Sequence, residues 1–351
     1  MCELYRNPDS RVVVLGAGIV GLQTALVLKD AGLDVVIVAK DFPGSEDPLY
    51  TSKWSGAQWR SNFDVGNQQD WDRQTFLHWL DLVKNATPEV LGLQLKKAVY
   101  LWDNIGEGKP EDSHWWTSFI PNFRVIPPAE LANSQFDTGF EYETFAIWPV
   151  RYLEYLYGLC RERSVECRTA KVDSLAEVFS LEGLGNAIGL VNCTGVAAAK
   201  LVPDPLVFPV KGQTVVVSGL AERVATRCGD GWEAIVIPWP GTNKTMLGGS
   251  KIANDWSTDP DEQLTQIILD RCKPIAPELL NRDGEFEVLQ VRVGLRPARH
   301  GGPRMELEHY QDKFICHAYG HYSAGYEGSV GISREILGLV EGYLGTFQGS
   351  E

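Results

Sequence analysis

The segment of residues 11–41, RVVVLGAGIVGLQTALVLKDAGLDVVIVAKD, restricts the possible fold more than any other part of this chain. Residues 12–15 are all apolar, which is typical of a strand buried on both faces. Apolar residues then recur at helical spacing until Gly32, and DVVIVA (34–39) forms a second apolar run. The order predicts a strand, a helix and a second strand parallel to the first.

Three glycines follow the first predicted strand and open the helix. Gly16, Gly18 and Gly21 form the pattern G-x-G-x-x-G. The first permits a tight turn, the second lets the backbone approach a pyrophosphate, and the third lets the helix pack closely on the strand. The helix N-terminus then presents its partial positive charge to the phosphates. The pattern predicts a dinucleotide site in preference to a chance glycine turn.

The end of the second strand leaves the identity of the dinucleotide open. Lys40 stands where an acidic residue often binds a ribose hydroxyl, and a lysine there would suit the ribose phosphate of NADP. Asp41 lies 20 residues beyond Gly21 and could still reach a ribose. These residues alone do not separate the two possibilities.

Composition narrows the class of protein. The 351 residues carry a net charge of −14, which disfavours nucleic acid and anionic lipid surfaces as partners. No apolar run reaches the roughly 18 residues of a membrane span, and the polar start MCELYRNPDS lacks a secretory core, so an intracellular protein is expected. Seven irregularly spaced cysteines without a Cys-x-x-Cys pair predict reduced, mostly buried thiols and no metal site.

Two kinds of pattern alternate along the remaining chain. Residues 69–85, 150–165, 259–273 and 328–345 are predicted helices, whereas short strands separated by turns dominate 205–295. We therefore expect an α/β plus α+β fold of two interleaved domains. The Rossmann-like nucleotide-binding domain is assigned to 1–60, 150–205 and 290–351, and the substrate-binding and interface domain, with a mixed antiparallel sheet, to 60–150 and 205–290.

Six segments, in this order, carry a family resemblance. They are VAKDFP (38–43), YTSKWSGAQW (50–59), VNCTGVAAAKL (191–201), PVKGQ (209–213), GLRPAR (294–299) and HAYGHYSAGYEGSVG (317–331). Together they closely resemble the FAD-dependent D-amino-acid oxidases, particularly the fungal members, over nearly the whole chain. The resemblance implies that the dinucleotide is FAD, with Lys40 and Asp41 at its adenosine end.

The resemblance also implies a reaction. A D-amino acid loses its α-hydrogen as hydride to flavin N5, the imino acid hydrolyses to a 2-oxo acid and ammonia, and dioxygen reoxidises the flavin to give hydrogen peroxide. The expected partners are thus a small D-amino acid and dioxygen, with a homodimer as the expected assembly. The family suggests the peroxisome, but GTFQGSE at the C-terminus carries no peroxisomal signal, so a cytoplasmic location is also expected as an alternative.

Site residues follow from the same resemblance. Arg296 matches the arginine that binds the substrate carboxylate, since a planar guanidinium can grip a carboxylate with two parallel hydrogen bonds. Glu327, where fungal relatives often carry glutamine, is expected to be catalytic together with Arg296. Ser323 and Glu327 are expected to bind substrate near the flavin. The expected cofactor contacts are Gly16, Ala17, Gly18, Ile19, Val20, Gly21, Lys40, Asp41, Ser52, Gly56, Ala57, Gln58, Val172, Cys193, Thr194, Gly195, Arg296, Ser323, Ala324, Gly325, Tyr326 and Glu327.

One departure from the family lies in the substrate domain. No tyrosine occurs between residues 158 and 309, and Ile235 in IVIPWPG occupies the position of a pocket tyrosine. A roomier, more apolar pocket is expected, with more of the carboxylate binding left to Arg296. The candidates for reading a polar side chain are Arg223, Arg227 and His321, although AERVATRCGDG (221–231) also reads as an exposed loop. Trp232 and Trp239 are candidate walls of the pocket.

The altered pocket keeps several alternatives open. An inward-pointing arginine would favour acidic substrates such as D-aspartate or D-glutamate, and a roomy apolar pocket would favour a secondary or cyclic amino acid. The missing tyrosines and Glu327 also allow a flavoprotein that has lost turnover and serves as a binding subunit, which the presence of Arg296 opposes. An NAD(P)-dependent dehydrogenase would explain the glycine pattern but not residues 317–331.

Overall fold

The computed structural model describes residues 11–61, 67–103 and 114–348; Cys2 and residues 349–351 lie outside them. The ten α-helices of these residues are α1 (Ile19–Asp30), α2 (Thr51–Trp54), α3 (Asn67–Leu82), α4 (Pro88–Leu91), α5 (Pro128–Leu131), α6 (Pro149–Glu162), α7 (Leu175–Val178), α8 (Ala198–Leu201), α9 (Glu262–Cys272) and α10 (Ser329–Gln348).

Sixteen strands accompany these helices in the described residues. They are β1 (Arg11–Leu15), β2 (Asp34–Ala39), β3 (Ala57–Gln58), β4 (Leu93–Trp102), β5 (Arg124–Val125), β6 (Thr138–Ile147), β7 (Glu166–Thr169), β8 (Gly189–Asn192), β9 (Val207–Ser218), β10 (Val224–Gly229), β11 (Trp232–Pro238), β12 (Lys244–Gly248), β13 (Ile252–Ala253), β14 (Val288–Arg299), β15 (Arg304–Tyr310) and β16 (Lys313–Tyr319).

The first sheet has the order β15-β16-β8-β1-β2-β7. All its pairs are parallel except the edge pair of β15 and β16. Strand β1 lies at its centre, and Val12, Val13 and Val14 have no exposed surface. Val12 and Val14 belong to a core cluster that includes buried residues of α1 and α10, and Val13 to a second cluster that includes residues of α7. Both faces of β1 are therefore buried, as its sequence predicts.

The second sheet has the order β13-β9-β12-β11-β10-β4-β6-β3, with β14 paired along the length of β9 and β5 paired with β6. Neighbours are antiparallel apart from β10 and β4. In the pair of β9 and β14, Arg296 stands opposite Val210 and Gly294 opposite Gly212. Directly paired residues share a face of the sheet, so this register decides what surrounds Arg296.

The predicted fold class is confirmed, with one local correction. Residues 221–231 were expected to form an exposed loop, but Val224–Gly229 is the strand β10. Its backbone is paired on both sides, with β4 and with β11, and a polar sequence cannot reveal such partners. Strand β14 lies in the antiparallel sheet, and the exact domain boundaries remain a prediction. The six described cysteines form no disulfide, and five of them are buried.

Candidate active site

One cavity of about 550 Å³ runs from the carboxyl ends of the parallel strands to the antiparallel sheet. Ligands of open α/β sheets bind at this edge of the strands. Ile235 and all the cofactor contacts expected from the family resemblance line this cavity, except Gly21 and Ala324. Both lie just behind its wall, since Gly21 packs on Gly16 and Ala324 is 3% exposed.

The glycine turn has the geometry that each glycine was predicted to provide. Gly16 has a φ of +108°, which side chains rarely tolerate, and a Cβ there would lie 2.6 Å from the carbonyl oxygen of Cys193. A Cβ at Gly21 would lie 1.9 Å from the carbonyl oxygen of Gly16, so the helix rests directly on the turn. The first turn of α1 carries no acidic residue, and its amides and dipole favour an anion.

The segment around α2 closes over this turn. Ser52 Oγ accepts a hydrogen bond of 3.0 Å from the amide of Ile19 and would lie 2.9 Å from a Cβ at Gly18. Tyr50 donates its hydroxyl hydrogen to the carbonyl of Ala17 at 2.7 Å, and Tyr326 donates to the carbonyl of Ser52 at 2.8 Å. The three parts of the cofactor site therefore hold one another in place.

Lys40 is already paired with two carboxylates. Its ammonium lies 3.6 Å from Asp41 and forms a shorter ion pair with Asp47. The hydrogen bond to Asp47 raises the pKa of Lys40. Because both neighbours are anions, a second phosphate on the ribose would meet net negative charge here. The geometry disfavours NADP, the possibility that Lys40 raised.

Arg296 projects from β14 over Gly212. Its Nη1 would lie 2.4 Å from a Cβ at Gly212, and it donates a hydrogen bond of 3.1 Å to the carbonyl of Ser250. Burial lowers the pKa of Arg296, while Tyr322 and Glu233 oppose this shift. An arginine stays charged under such conditions. Its guanidinium is enclosed by protein but faces the cavity, so it can receive an anion.

Arg60 and Lys251 line the same cavity, and no sequence pattern predicts that they lie close together. Arg60 lies 3.3 Å from Glu233, and Lys251 lies 2.9 Å from the same carboxylate. Although burial opposes ionisation, Arg60 and Lys251 hold the pKa of Glu233 at about 2. Burial also opposes the charge on Arg60, yet Tyr100 and Glu233 raise its pKa. The cluster thus holds two positive charges and one negative.

The side chains proposed to read a polar substrate lie elsewhere or are uncharged. Arg223 is 46% exposed and faces Glu141, and Arg227 forms an ion pair of 2.7 Å with Asp103; neither lines the cavity. His321 does line it, but burial lowers the pKa of His321 to about 4. A neutral imidazole cannot balance an acidic side chain. The expectation that Arg223 or Arg227 points into the pocket is therefore wrong, whereas His321 stays a candidate for reading a polar side chain.

Neither tryptophan proposed as a pocket wall lines the cavity. Trp232 lies beneath the guanidinium groups of Arg227 and Arg271, at 5.1 and 4.2 Å from its ring centre. Trp239 is 5% exposed, and its ring stacks on Trp148. Both serve packing. Ile235, by contrast, faces the cavity as predicted.

The closing loop brings Ser323, Glu327 and Tyr326 to the cavity. Glu327 is 4% exposed and lies two residues before α10 begins.

Cys193, Thr194 and Gly195 follow the end of β8. The hydroxyl of Thr194 donates a hydrogen bond of 2.7 Å to Asn192 Oδ1. Thr194 is therefore a packing residue whose backbone faces the cavity.

The geometry fits FAD. Glycines that leave no room for a Cβ and a helix N-terminus without acidic side chains suit a pyrophosphate. Lys40, whose charge is already balanced by carboxylates, suits an unphosphorylated ribose. Gly56, where a Cβ would meet Met246 at 2.3 Å, continues this close-packed wall towards Arg296. No other described part of the chain combines these features.

Comparison with known proteins shows which family the chain resembles. Residues 11–338 match the FAD dependent oxidoreductase family. D-amino-acid oxidase from Schizosaccharomyces pombe is 32% identical, over 95% of this chain and 97% of that protein, and D-aspartate oxidase from Talaromyces thermophilus is 30% identical, over 94% and 95%. Glycine oxidase from Geobacillus kaustophilus has the same fold, with a TM-score of 0.76, 19% identity and 95% of both chains covered.

The chain belongs to the FAD-dependent oxidoreductases of this family. The resemblance to fungal D-amino-acid oxidases, the FAD cofactor and the assignment to oxidoreductases are thereby confirmed. A nicotinamide-dependent dehydrogenase is not supported. No helix among the described residues is both long and apolar enough to cross a membrane.

Proposed function

We propose that the protein catalyses the oxidative deamination of D-amino acids to 2-oxo acids, with dioxygen as the final electron acceptor. The support is the cavity itself, in which an FAD cradle and a carboxylate-binding guanidinium share one space. Relatives named D-amino-acid oxidase match the chain over nearly its full length. Bound FAD supplies the hydride acceptor, and the protein's part is to bind and orient.

Arg296 provides the orientation. A substrate carboxylate bound by two parallel hydrogen bonds to its guanidinium can rotate little, so one face of the α-carbon is presented to the flavin. The carboxylate also replaces the water that a buried cation would otherwise need. Ile235 offers an apolar wall for the side chain, and Ser323 and Glu327 line the same cavity.

Flavin reduction tests the proposal directly. Under anaerobic conditions D-amino acids should bleach the yellow holoenzyme and L-isomers should not. A panel of apolar, acidic, basic and cyclic substrates, including D-proline, tests the alternative of a secondary or cyclic substrate. A holoenzyme that no member of this panel bleaches would instead support the binding-subunit alternative.

Arg296→Ala should raise KM steeply and lower kcat, with kcat/KM falling about 100-fold or more, because charge-assisted hydrogen bonds of about 1.5–3 kcal/mol each are lost. Arg223→Ala is a matched control, since that arginine lies outside the cavity and is 46% exposed. Unchanged kinetics of Arg296→Ala would remove the carboxylate anchor from this proposal.

A preference for acidic D-amino acids is the second candidate, favoured by the cluster of Arg60, Glu233 and Lys251. The ammonium of Lys251, which is 45% exposed and lines the cavity, would attract a substrate side-chain carboxylate. A relative named D-aspartate oxidase is 30% identical. Lys251→Met should then lower kcat/KM for D-aspartate while leaving D-asparagine unaffected; equal losses for both would contradict the preference.

The assembly and location stay proposals that rest on the family resemblance. A homodimer should appear in analytical ultracentrifugation at about twice the mass of the 39.0 kDa chain. Fluorescent tagging that leaves the C-terminus free distinguishes a peroxisomal from a cytoplasmic protein.

A further inference from the structure

Tyr322 is a cavity residue that the proposed function does not yet use. We propose that its hydroxyl donates a hydrogen bond to the substrate carboxylate beside Arg296, and that its ring closes the substrate end of the cavity. The inference rests on the proposed function, because it assumes a carboxylate on Arg296. It assigns to the loop after β16 the hydroxyl that Ile235 cannot supply.

The backbone fixes Tyr322 next to Arg296. Its amide donates a hydrogen bond of 2.9 Å to the carbonyl of Pro297, the residue that follows Arg296 on β14. Its φ is +54°, a left-handed conformation that a bulky aromatic residue seldom adopts. Strained backbone of this kind persists where the surroundings impose it, and it concentrates at functional sites. Tyr322 also contributes to the electrostatic environment of Arg296.

Four tyrosines line the cavity, and three of their hydroxyls are already committed. Tyr50 donates to Ala17, Tyr326 to Ser52, and Tyr319 to Asp204, at 2.7, 2.8 and 2.8 Å. Tyr322 is half-buried, and among the described residues its hydroxyl has no hydrogen-bond partner. A carboxylate has about four acceptor sites, of which a bidentate arginine occupies two. A hydroxyl donor beside Arg296 therefore has an acceptor available once substrate binds.

The ring of Tyr322 stands where two cavities meet. A second cavity, of about 440 Å³, shares Lys251, Gly320 and Tyr322 with the first. Its floor includes Val210, which is paired with Arg296, and Phe208, which is paired with Ala298, so it continues along the same face of the sheet. Tyr322 thus separates the space over Arg296 from an adjoining, mainly apolar space.

Binding of a carboxylate to the holoenzyme tests the role of the Tyr322 hydroxyl separately from that of its ring. Benzoate and its uncharged analogue benzamide are titrated against the flavin absorbance spectrum of the wild type and of Tyr322→Phe. The substitution should weaken benzoate binding about tenfold and benzamide binding less than twofold, and with D-alanine it should raise KM more than it lowers kcat. Tyr155→Phe, on α6 and outside the cavity, is the matched control. An unchanged benzoate affinity in Tyr322→Phe would overturn the hydroxyl's role.

The range of substrate sizes that the enzyme accepts tests the role of the Tyr322 ring. Tyr322→Asn suits the left-handed backbone, so this variant should fold and join the two cavities. The ratio of kcat/KM for D-tryptophan to that for D-alanine should rise at least fivefold. An unchanged ratio would show that the ring does not close the cavity. If no D-amino acid reduces the flavin of the wild type, the proposed function fails. If the wild-type flavin is reduced normally and Tyr322→Phe binds benzoate like the wild type, only the role of the Tyr322 hydroxyl is rejected.

Discussion

The guanidinium of Arg296 lies directly over Gly212, so close that a Cβ at residue 212 would come within 2.4 Å of Arg296 Nη1. The glycine and the arginine belong to neighbouring strands, and Gly212 pairs with Gly294, two residues before Arg296. A methyl group at residue 212 would push the guanidinium out of position, while the flexible tip of the arginine could yield without disturbing the sheet.

Gly212→Ala should therefore affect binding more than folding. We expect KM for D-amino acids to rise roughly tenfold, equivalent to about 1.4 kcal/mol of binding free energy. The melting temperature should change little. Steady-state kinetics and thermal unfolding check both parts, with Gly185→Ala as a control because that glycine has only a distant neighbour, at 3.8 Å. A large loss of stability with unaltered KM would contradict the role of Gly212.

Gly21→Ala should damage the cofactor site through the backbone. Its Cβ would lie 1.9 Å from the carbonyl oxygen of Gly16, and neither atom is at the end of a flexible side chain. We expect a loss of about 1–3 kcal/mol in the free energy of unfolding together with weaker FAD retention. Gly158→Ala in α6, with open space around it, should instead add about 0.5–1 kcal/mol. Urea unfolding and released flavin measure the contrast.

Ile235→Tyr should shift the substrate panel towards small D-amino acids. The side chain faces the cavity, so a larger ring would take volume from the substrate side chain and add a hydroxyl donor. The ratio of kcat/KM for D-alanine to that for D-tryptophan should rise. Identical ratios in variant and wild type would show that Ile235 does not set the size of the pocket.

Glu233 should make the folded protein sensitive to acid. The pKa of Glu233 is about 2 in the folded chain, below its ordinary value of 4.5. A depressed pKa contributes stability that is complete above about pH 4.5 and is lost as the pH falls towards 2. Glu233→Gln should therefore be less stable than the wild type at pH 7, by an order of 3 kcal/mol. The difference should shrink at pH 3, as denaturant titrations at both pH values would show.

Short segments of sequence were sufficient for the cofactor site. The turn of Gly16, Gly18 and Gly21 is built from backbone groups close together in the chain, so the spacing of its glycines already contains its geometry. Alternation and helical spacing likewise predicted the central strands and the long helices. Arg296 was identified through a motif, GLRPAR, and the cavity then showed what it faces.

The substrate end depended on the tertiary structure. Arg60 and Glu233 are 173 residues apart in sequence, and Lys251 joins them only because the strands of one sheet bring the three together. Tyr322 is held beside Arg296 by a backbone hydrogen bond from its amide, in a loop, to the carbonyl of Pro297 on a strand. Charges read along the chain pointed to Arg223 and Arg227, whose partners Glu141 and Asp103 become visible only after folding. Local backbone geometry is encoded by neighbouring residues, whereas pairing and burial of charges are set by residues far away in the chain.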